Sequence, residues 1–372
     1  MPTYLLGIDI GTSACKAAAF TETGEAVFSS SRSYPVYYPR PGWAEQAPDL
    51  WWQGVSGALQ ALWQAGLRPE QVAGIGVDGQ SWSAVAVDRQ GEALCNTPIW
   101  MDTRAEDICR EVEARVGRKR LFEKTGNPLK PSYSTAKILW YRRERPDIYP
   151  RIHQILQSNS YIVHRLTGVF SQDRSQGYGL HCFDERTMDW DLSLAEEIGI
   201  PLSFLPPVSA CSRVVGRVTA RAAKETGLLE GTPVVAGGLD AACGALGVGV
   251  LHEGETQEQG GQAGGASICI KEYLADERLI LSPHVVPGCW LLQGGTTGGG
   301  GVMRWIDEQF GEAERHLAAE EGISSMALLD RLAGQIPPGS DGVVFLPYMS
   351  GERSPIWNPR SEEHTSELQS QS

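Results

Sequence analysis

Basic residues are scarce in this sequence: 32 Lys and Arg stand against 45 Asp and Glu, leaving a formal net charge of −13. That balance argues against the basic surface by which proteins hold nucleic acid, and any phosphate must be held by local dipoles and a few cations. No run of about 18 apolar residues occurs, and the N-terminus has neither a basic segment nor a long apolar stretch, so a cytoplasmic protein without a membrane partner is expected. The eight cysteines form no C-x-x-C pair and show no metal-type spacing with the seven histidines. They read as idle thiols in a reducing compartment. There is no Gly-Lys dipeptide, which excludes the G-x-x-x-x-G-K-[ST] phosphate loop, and no fixed-period repeat or heptad array.

What is present is the composition of an ordinary folded chain, 372 residues with 41% hydrophobic and 21% charged, long enough for two cores. Strand-like runs at Tyr4–Asp9, Cys15–Phe20 and Ala26–Ser31, joined by tight turns, predict an antiparallel meander. Asp49 is placed to cap a helix carrying Val55, Leu59 and Leu62, and Val72–Val77 then reads as a buried strand. Helices are expected at about 103–116 and 134–145, and a strand, turn and helix over Thr232–Val250. The fold class is therefore α/β. The domain boundary is set after that helix, giving 1–248 and 249–360, because glycine becomes abundant from about Gly254 onward. Residues 361–372 turn abruptly polar and resemble translated adapter DNA, so they are expected to be a non-native tail; a natural disordered tail is the alternative.

Two segments carry candidate chemistry. In Gly7-Ile8-Asp9-Ile10-Gly11-Thr12-Ser13 a strand ends in a carboxylate, a glycine admits close backbone approach, and two hydroxyls follow. Such a hairpin can bind phosphate oxygens while Asp9 holds hydrated Mg²⁺, although the same residues suit a plain β-turn. In Gly237-Gly238-Leu239-Asp240 a carboxylate stands at the mouth of a strand, able to accept a proton from a hydroxyl. An N-cap aspartate is the other reading.

The chain resembles the FGGY family of carbohydrate kinases, closest to its xylulokinases. Gly7–Ser13 resembles the first phosphate motif, and Gly42-Trp-Ala-Glu-Gln-Ala-Pro-Asp-Leu-Trp-Trp52 a Trp-rich signature. Gly79-Gln80, Trp100-x-Asp102-x-Arg104, Ser134-x-x-Lys137-x-x-Trp140, Leu166-Thr167-Gly168, Asp189-Trp190, Gly-Gly-x-Asp240 and Phe345 to Pro355 follow in the family's order. The resemblance covers residues 4 to about 360. It implies two ribonuclease-H-like domains facing across a cleft, as in hexokinase and actin, the second incomplete because nothing after Pro359 or Arg360 resembles the family. It further implies ATP as phosphoryl donor, with Mg²⁺, a small sugar such as D-xylulose as acceptor, and a homodimer as the expected assembly. By the same resemblance Asp240 is the general base and Asp9 the metal ligand; Gly11, Thr12, Ser13, Lys16, Gly264 and Gly265 face phosphate, and Gln80, Ser81, Trp82, Trp100, Asp102 and Arg104 border or brace the sugar pocket.

The departures bear on the substrate. Where xylulokinases usually read Gly-Gln-Met-His, this chain has Gly79-Gln80-Ser81-Trp82, so the ring at 82 either stacks on a sugar face or fills a hole left by a smaller sugar. The second phosphate loop, Gly261-Gln262-Ala263-Gly264-Gly265, lacks a hydroxyl side chain and must rely on backbone N–H groups. For Trp100 and Arg104, a core aromatic and a buried ion-pair partner are equal alternatives to substrate contact. Kinases of ribulose, gluconate, glycerol or rhamnulose, and a non-catalytic sugar-binding fragment, are the competing functions.

Overall fold

A computed structural model describes residues 3–260, 263–348 and 351–358. The three N-terminal strands form as expected and run slightly longer: β1 (Tyr4–Ile10), β2 (Ala14–Phe20) and β3 (Ala26–Ser33). Helix α1 (Pro48–Gln64) leads to β4 (Val72–Gly79), and α2 (Glu106–Val116), α3 (Ser134–Glu144) and α4 (Ser158–Thr167) follow. Farther along come β5 (Val214–Arg217), β6 (Pro233–Val235), β7 (Gly238–Leu239) and α5 (Asp240–Gly247). Asp49 does not cap α1. Ala47 occupies that position and Asp49 lies in the first turn, where it complements the positive helix end and accepts from the Tyr161 hydroxyl at 3.1 Å.

These strands make one mixed sheet in the order β5-β6-β4-β1-β2-β3, with β7 also beside β4. The β1, β2 and β3 pairings are antiparallel, whereas β4 runs parallel to β1, β6 and β7. Alternation along β1 buries Leu6, Ile8 and Ile10 in a core shared with Trp51, Val55, Leu59 and Leu62 of α1 and Ile162 and Leu166 of α4. The intervening positions, Asp9 among them, are thereby turned to the opposite face. A second core, with Ile108, Val112, Leu139, Tyr141, Leu194 and Ile198, holds α2 and α3 together.

The described residues divide into two compact units. One takes in the chain up to Glu253 together with Cys269–Glu277 and Leu281–Leu291, so the break comes five residues later than the expected 248 and two later segments return to the first unit. The other begins at Gly254. The later strands are β8 (Thr256–Gly260), β9 (Gly264–Ile270), β10 (Ile280–Pro283) and β11 (Trp290–Thr296), in the order β8-β9-β11-β10, followed by α6 (Gly300–Phe310), α7 (Glu312–Glu321) and α8 (Ser325–Ala333). The tail at 361–372 lies outside the described residues. Among the described residues, no helix is long and apolar enough to cross a membrane, and all eight cysteines are free thiols.

Candidate active site

Three carboxylates gather at the C-terminal ends of adjoining parallel strands. Asp9 near the end of β1 stands opposite Asp78 near the end of β4, and Gly238 and Leu239 of β7 pair with Asp78 and Gly79, which sets Asp240 at the next step. The approach of β7 to β4 requires glycine at 237: its φ is +82°, and a Cβ there would fall 1.9 Å from the Val77 carbonyl oxygen. Asp240 is the first residue of α5, not its cap, since Leu239 holds the cap position; its Oδ1 accepts from the Ala241 N–H at 2.7 Å. The strand end is further fixed by Ser175, whose hydroxyl accepts from the Leu239 N–H at 2.8 Å and donates to buried Asp173 at 2.6 Å.

Like charges gathered this closely raise the cost of ionising them all. Burial and the neighbouring Asp9 and Asp240 push the Asp78 carboxyl well above the usual carboxylate range, a hydrogen bond with Asp9 adds to this, and the Lys16 ammonium opposes it. Lys16 is exposed and lies 3.5 Å from Asp9.

The hairpin tip between β1 and β2 is held from behind by a buried amide network. Gln46 donates to the Thr12 carbonyl at 2.7 Å, and its own amide oxygen accepts from Gln80 at 2.7 Å and from the Trp51 indole at 3.1 Å. The Thr12 hydroxyl accepts from the Trp100 indole at 2.9 Å and donates to Gln80 at 3.3 Å. Gly11 closes the turn through its N–H to Ala14, and the Tyr34 hydroxyl donates to the Gly11 carbonyl at 2.7 Å. Ser13 is exposed at the tip. Gln46 and Trp51 of the Trp-rich signature at 42–52 thus serve as scaffold for this hairpin tip.

The residues expected around a sugar separate into two groups. Trp100 and Ser81 are half-buried beside the hairpin and the end of β4. Asp102 and Arg104 are turned inward, with side-chain exposures of 0% and 2%, and their charges are already matched. Arg104 grips Asp102 at 2.7 Å and Glu45 at 2.8 Å and lies 3.7 Å from the Trp43 ring centre, while Asp102 also accepts from the Ala44 N–H. The Arg104 side chain is thus held in a buried ion-pair cluster with Asp102 and Glu45. Trp82 is 1% exposed and stacks on Tyr133 with centroids 4.3 Å apart, so its ring fills interior space and offers no open face to a ligand. Gly264 and Gly265 are strand residues of β9 opposite Gly260 and Gln259, part of a ladder where a loop was expected; Gly261 and Gln262 lie outside the described residues.

Sequence reasoning missed Asp78 and Gln46. Asp78 repeats the signal read at Asp9, a carboxylate at a strand end followed by glycine, but its Asp-Gly pair reads as an ordinary turn until the strands are aligned. Gln46 gave no chemical signal, since its role is to join three segments distant in sequence.

Among the described residues, no group of three or more His, Cys, Asp or Glu side chains surrounds one metal position. Mg²⁺ commonly retains several waters and takes one or two carboxylates with phosphate oxygens. Asp9, 30% exposed and paired with Asp78, supplies hard oxygen donors of that kind. A carboxylate pair for a hydrated cation, a neighbouring carboxylate able to accept a proton, and a hydroxyl-bearing hairpin meet the requirements of phosphoryl transfer.

Comparison with known proteins agrees with that chemistry. The chain is 31% identical over 360 residues to a xylulose kinase of Escherichia coli (strain K12), spanning 96% of this chain and 71% of that protein. It is 29% identical over 361 residues to a gluconokinase of Bacillus subtilis (strain 168), spanning 96% and 70%. A solved xylulose kinase from Rhodospirillum rubrum superposes with a TM-score of 0.82 at 32% identity over 95% of this chain and 71% of that one. A gluconate kinase from Lactobacillus acidophilus gives 0.84 at 26% over 96% and 71%. The model of the N-terminal domain of FGGY carbohydrate kinases matches residues 4–247 and that of the C-terminal domain residues 268–372, and the chain therefore belongs to the FGGY family of carbohydrate kinases, which are phosphotransferases.

Proposed function

We propose that this chain carries the acceptor site of a kinase for a ketopentose such as D-xylulose, which it phosphorylates from Mg·ATP to give xylulose 5-phosphate. The observation that carries the reading is the convergence of Asp9, Asp78 and Asp240 at three adjoining strand ends. In this reading Asp240 takes the proton of the sugar hydroxyl as its oxygen bonds to the γ-phosphorus and the bond to the bridging oxygen of ADP breaks. Asp9 would hold a hydrated Mg²⁺, which would supply positive charge to the phosphate oxygens. Thr12, Ser13 and Lys16 stand toward the transferring phosphate, and Trp100 and Ser81 border the sugar.

Gluconate is the second reading, favoured by the gluconokinase relatives. Electrostatics favours the neutral ketose. A carboxylate substrate would approach three clustered carboxylates on a chain of net charge −13, with the exposed Lys16 as the nearby cation. The test is ADP release from Mg·ATP with D-xylulose, D-ribulose, L-rhamnulose, glycerol and D-gluconate in turn. The highest kcat/KM is expected for D-xylulose; a higher value for gluconate would replace the ketose reading.

A further inference from the structure

Lys137 is the one buried lysine of the described residues, 0% exposed in the first turn of α3. Its ammonium donates to three backbone carbonyls: Trp82 at 2.8 Å, Ile99 at 2.7 Å and Ser132 at 2.6 Å. A protonated lysine has three hydrogens and three acceptors receive them, so the arrangement is complete without a carboxylate partner. The three carbonyls belong to different parts of the chain. Trp82 ends the Gln80-Ser81-Trp82 turn after β4 and holds a φ of +58°, which a bulky side chain adopts only where its surroundings enforce it. Ile99 precedes Trp100, whose indole meets the Thr12 hydroxyl. Ser132 precedes Tyr133, on which the Trp82 ring stacks.

We propose that Lys137 is a positioning residue for the sugar side of the site, a cationic clamp that fixes the Gln80–Trp82 turn, the Trp100 segment and the Tyr133 loop relative to one another. This rests on the reading above that Ser81 and Trp100 border the sugar. The clamp explains why a lysine is kept in the interior. Three convergent carbonyls bind an ammonium where an amide or hydroxyl could satisfy two at most, and leaving them empty would expose three buried acceptors without donors. Burial lowers the Lys137 pKa to about 7, nearby Arg104 also lowers it, and Asp102 and Cys109 oppose the fall. The carbonyl oxygens favour the protonated form as well. Loss of the proton would leave one carbonyl facing a lone pair.

The test uses the full chain with Lys137→Met, which keeps most of the length of the side chain and removes every donor, and with Leu139→Ala as a control that loosens the same helix from its other core. Hydrogen exchange read by mass spectrometry should quicken together in segments 80–84, 99–103 and 130–134 in Lys137→Met, while the β1 to β2 hairpin stays protected; the control should not show that joint pattern. In ADP-release assays the ketose KM should rise about tenfold or more in Lys137→Met, with the ATP KM within about twofold of the unsubstituted chain. Should Lys137→Met fail to fold, Lys137→Gln, with two N–H donors, carries the same readouts at smaller amplitude. Unchanged exchange at the three segments, or a ketose KM equal to that of the unsubstituted chain, overturns the proposal. If no ketose supports ADP release in any form, the substrate reading fails separately, and joint loosening of the three segments still supports the clamp.

Discussion

Asp9 and Asp78 face one another across the parallel pairing of β1 and β4 and share a hydrogen bond, with Asp240 close enough to raise the pKa of Asp78. The folded chain therefore binds the Asp78 proton more tightly than the unfolded chain does. For an acid raised in this way, its contribution to stability is full below the ordinary carboxylate range and is lost as pH rises through the raised pKa. Asp78→Asn removes the charge and the pH dependence with it. Between pH 5 and pH 8 the melting temperature of the unsubstituted chain should fall relative to that of Asp78→Asn, by roughly 2–4 °C for each kcal/mol lost. Parallel melting curves across that range would show that Asp78 does not carry the strain.

Asp240→Asn keeps the size of the side chain and can still accept from the Ala241 N–H, so α5 should form as before. If Asp240 takes the hydroxyl proton, kcat should fall by about 10²- to 10⁴-fold while sugar affinity changes little. Calorimetry for binding and ADP release for turnover separate the two. A variant with near-normal turnover would remove Asp240 from the chemistry.

Gln46→Leu deprives the Gln80 amide, the Trp51 indole and the Thr12 carbonyl of their common partner. Each buried group left unsatisfied costs about 1–3 kcal/mol. The expected loss is roughly 3 kcal/mol or more of stability by denaturant titration, with a raised KM for ATP because the hairpin tip is no longer fixed. Loss of stability with an unaltered KM would confine Gln46 to a packing role.

Trp82→Ala should destabilise the chain by about 3–5 kcal/mol, the range for deleting a large buried aromatic. The ring stacks on Tyr133 and meets Tyr178 edge-on, so the cavity left behind has rigid walls. Among the described residues the indole N–H has no hydrogen-bond partner, and Trp82→Phe should accordingly cost less than truncation. A Trp82→Ala variant as stable as the parent would mean that the ring is not the filler its burial indicates.

Much of the fold was legible in the sequence because local rules governed it. The alternation in Tyr4–Ile10 and Ala14–Phe20, and the helical spacing of Val55, Leu59 and Leu62, each follow from a single apolar face. Asp9 and Asp240 were readable as site candidates because each comes at the end of a strand-like run with glycine two residues away. The helix starts were less legible: Asp49 and Asp240 both suited a cap, and both proved to lie inside the first turn. A carboxylate near a positive helix end is favourable at several positions, so composition does not choose among them.

By itself the sequence determined the N-terminal strands, helices α1 to α3 and the two aspartates, since those depend on near neighbours in the chain. Only the tertiary structure decided that Asp78 joins Asp9 and Asp240, that Arg104 and Trp82 point inward, and that Lys137 gathers three carbonyls. Each of those outcomes depends on the register of β4 between β1 and β7 or on α3 meeting three remote segments. Register and packing are fixed by which buried surfaces fit together across the molecule.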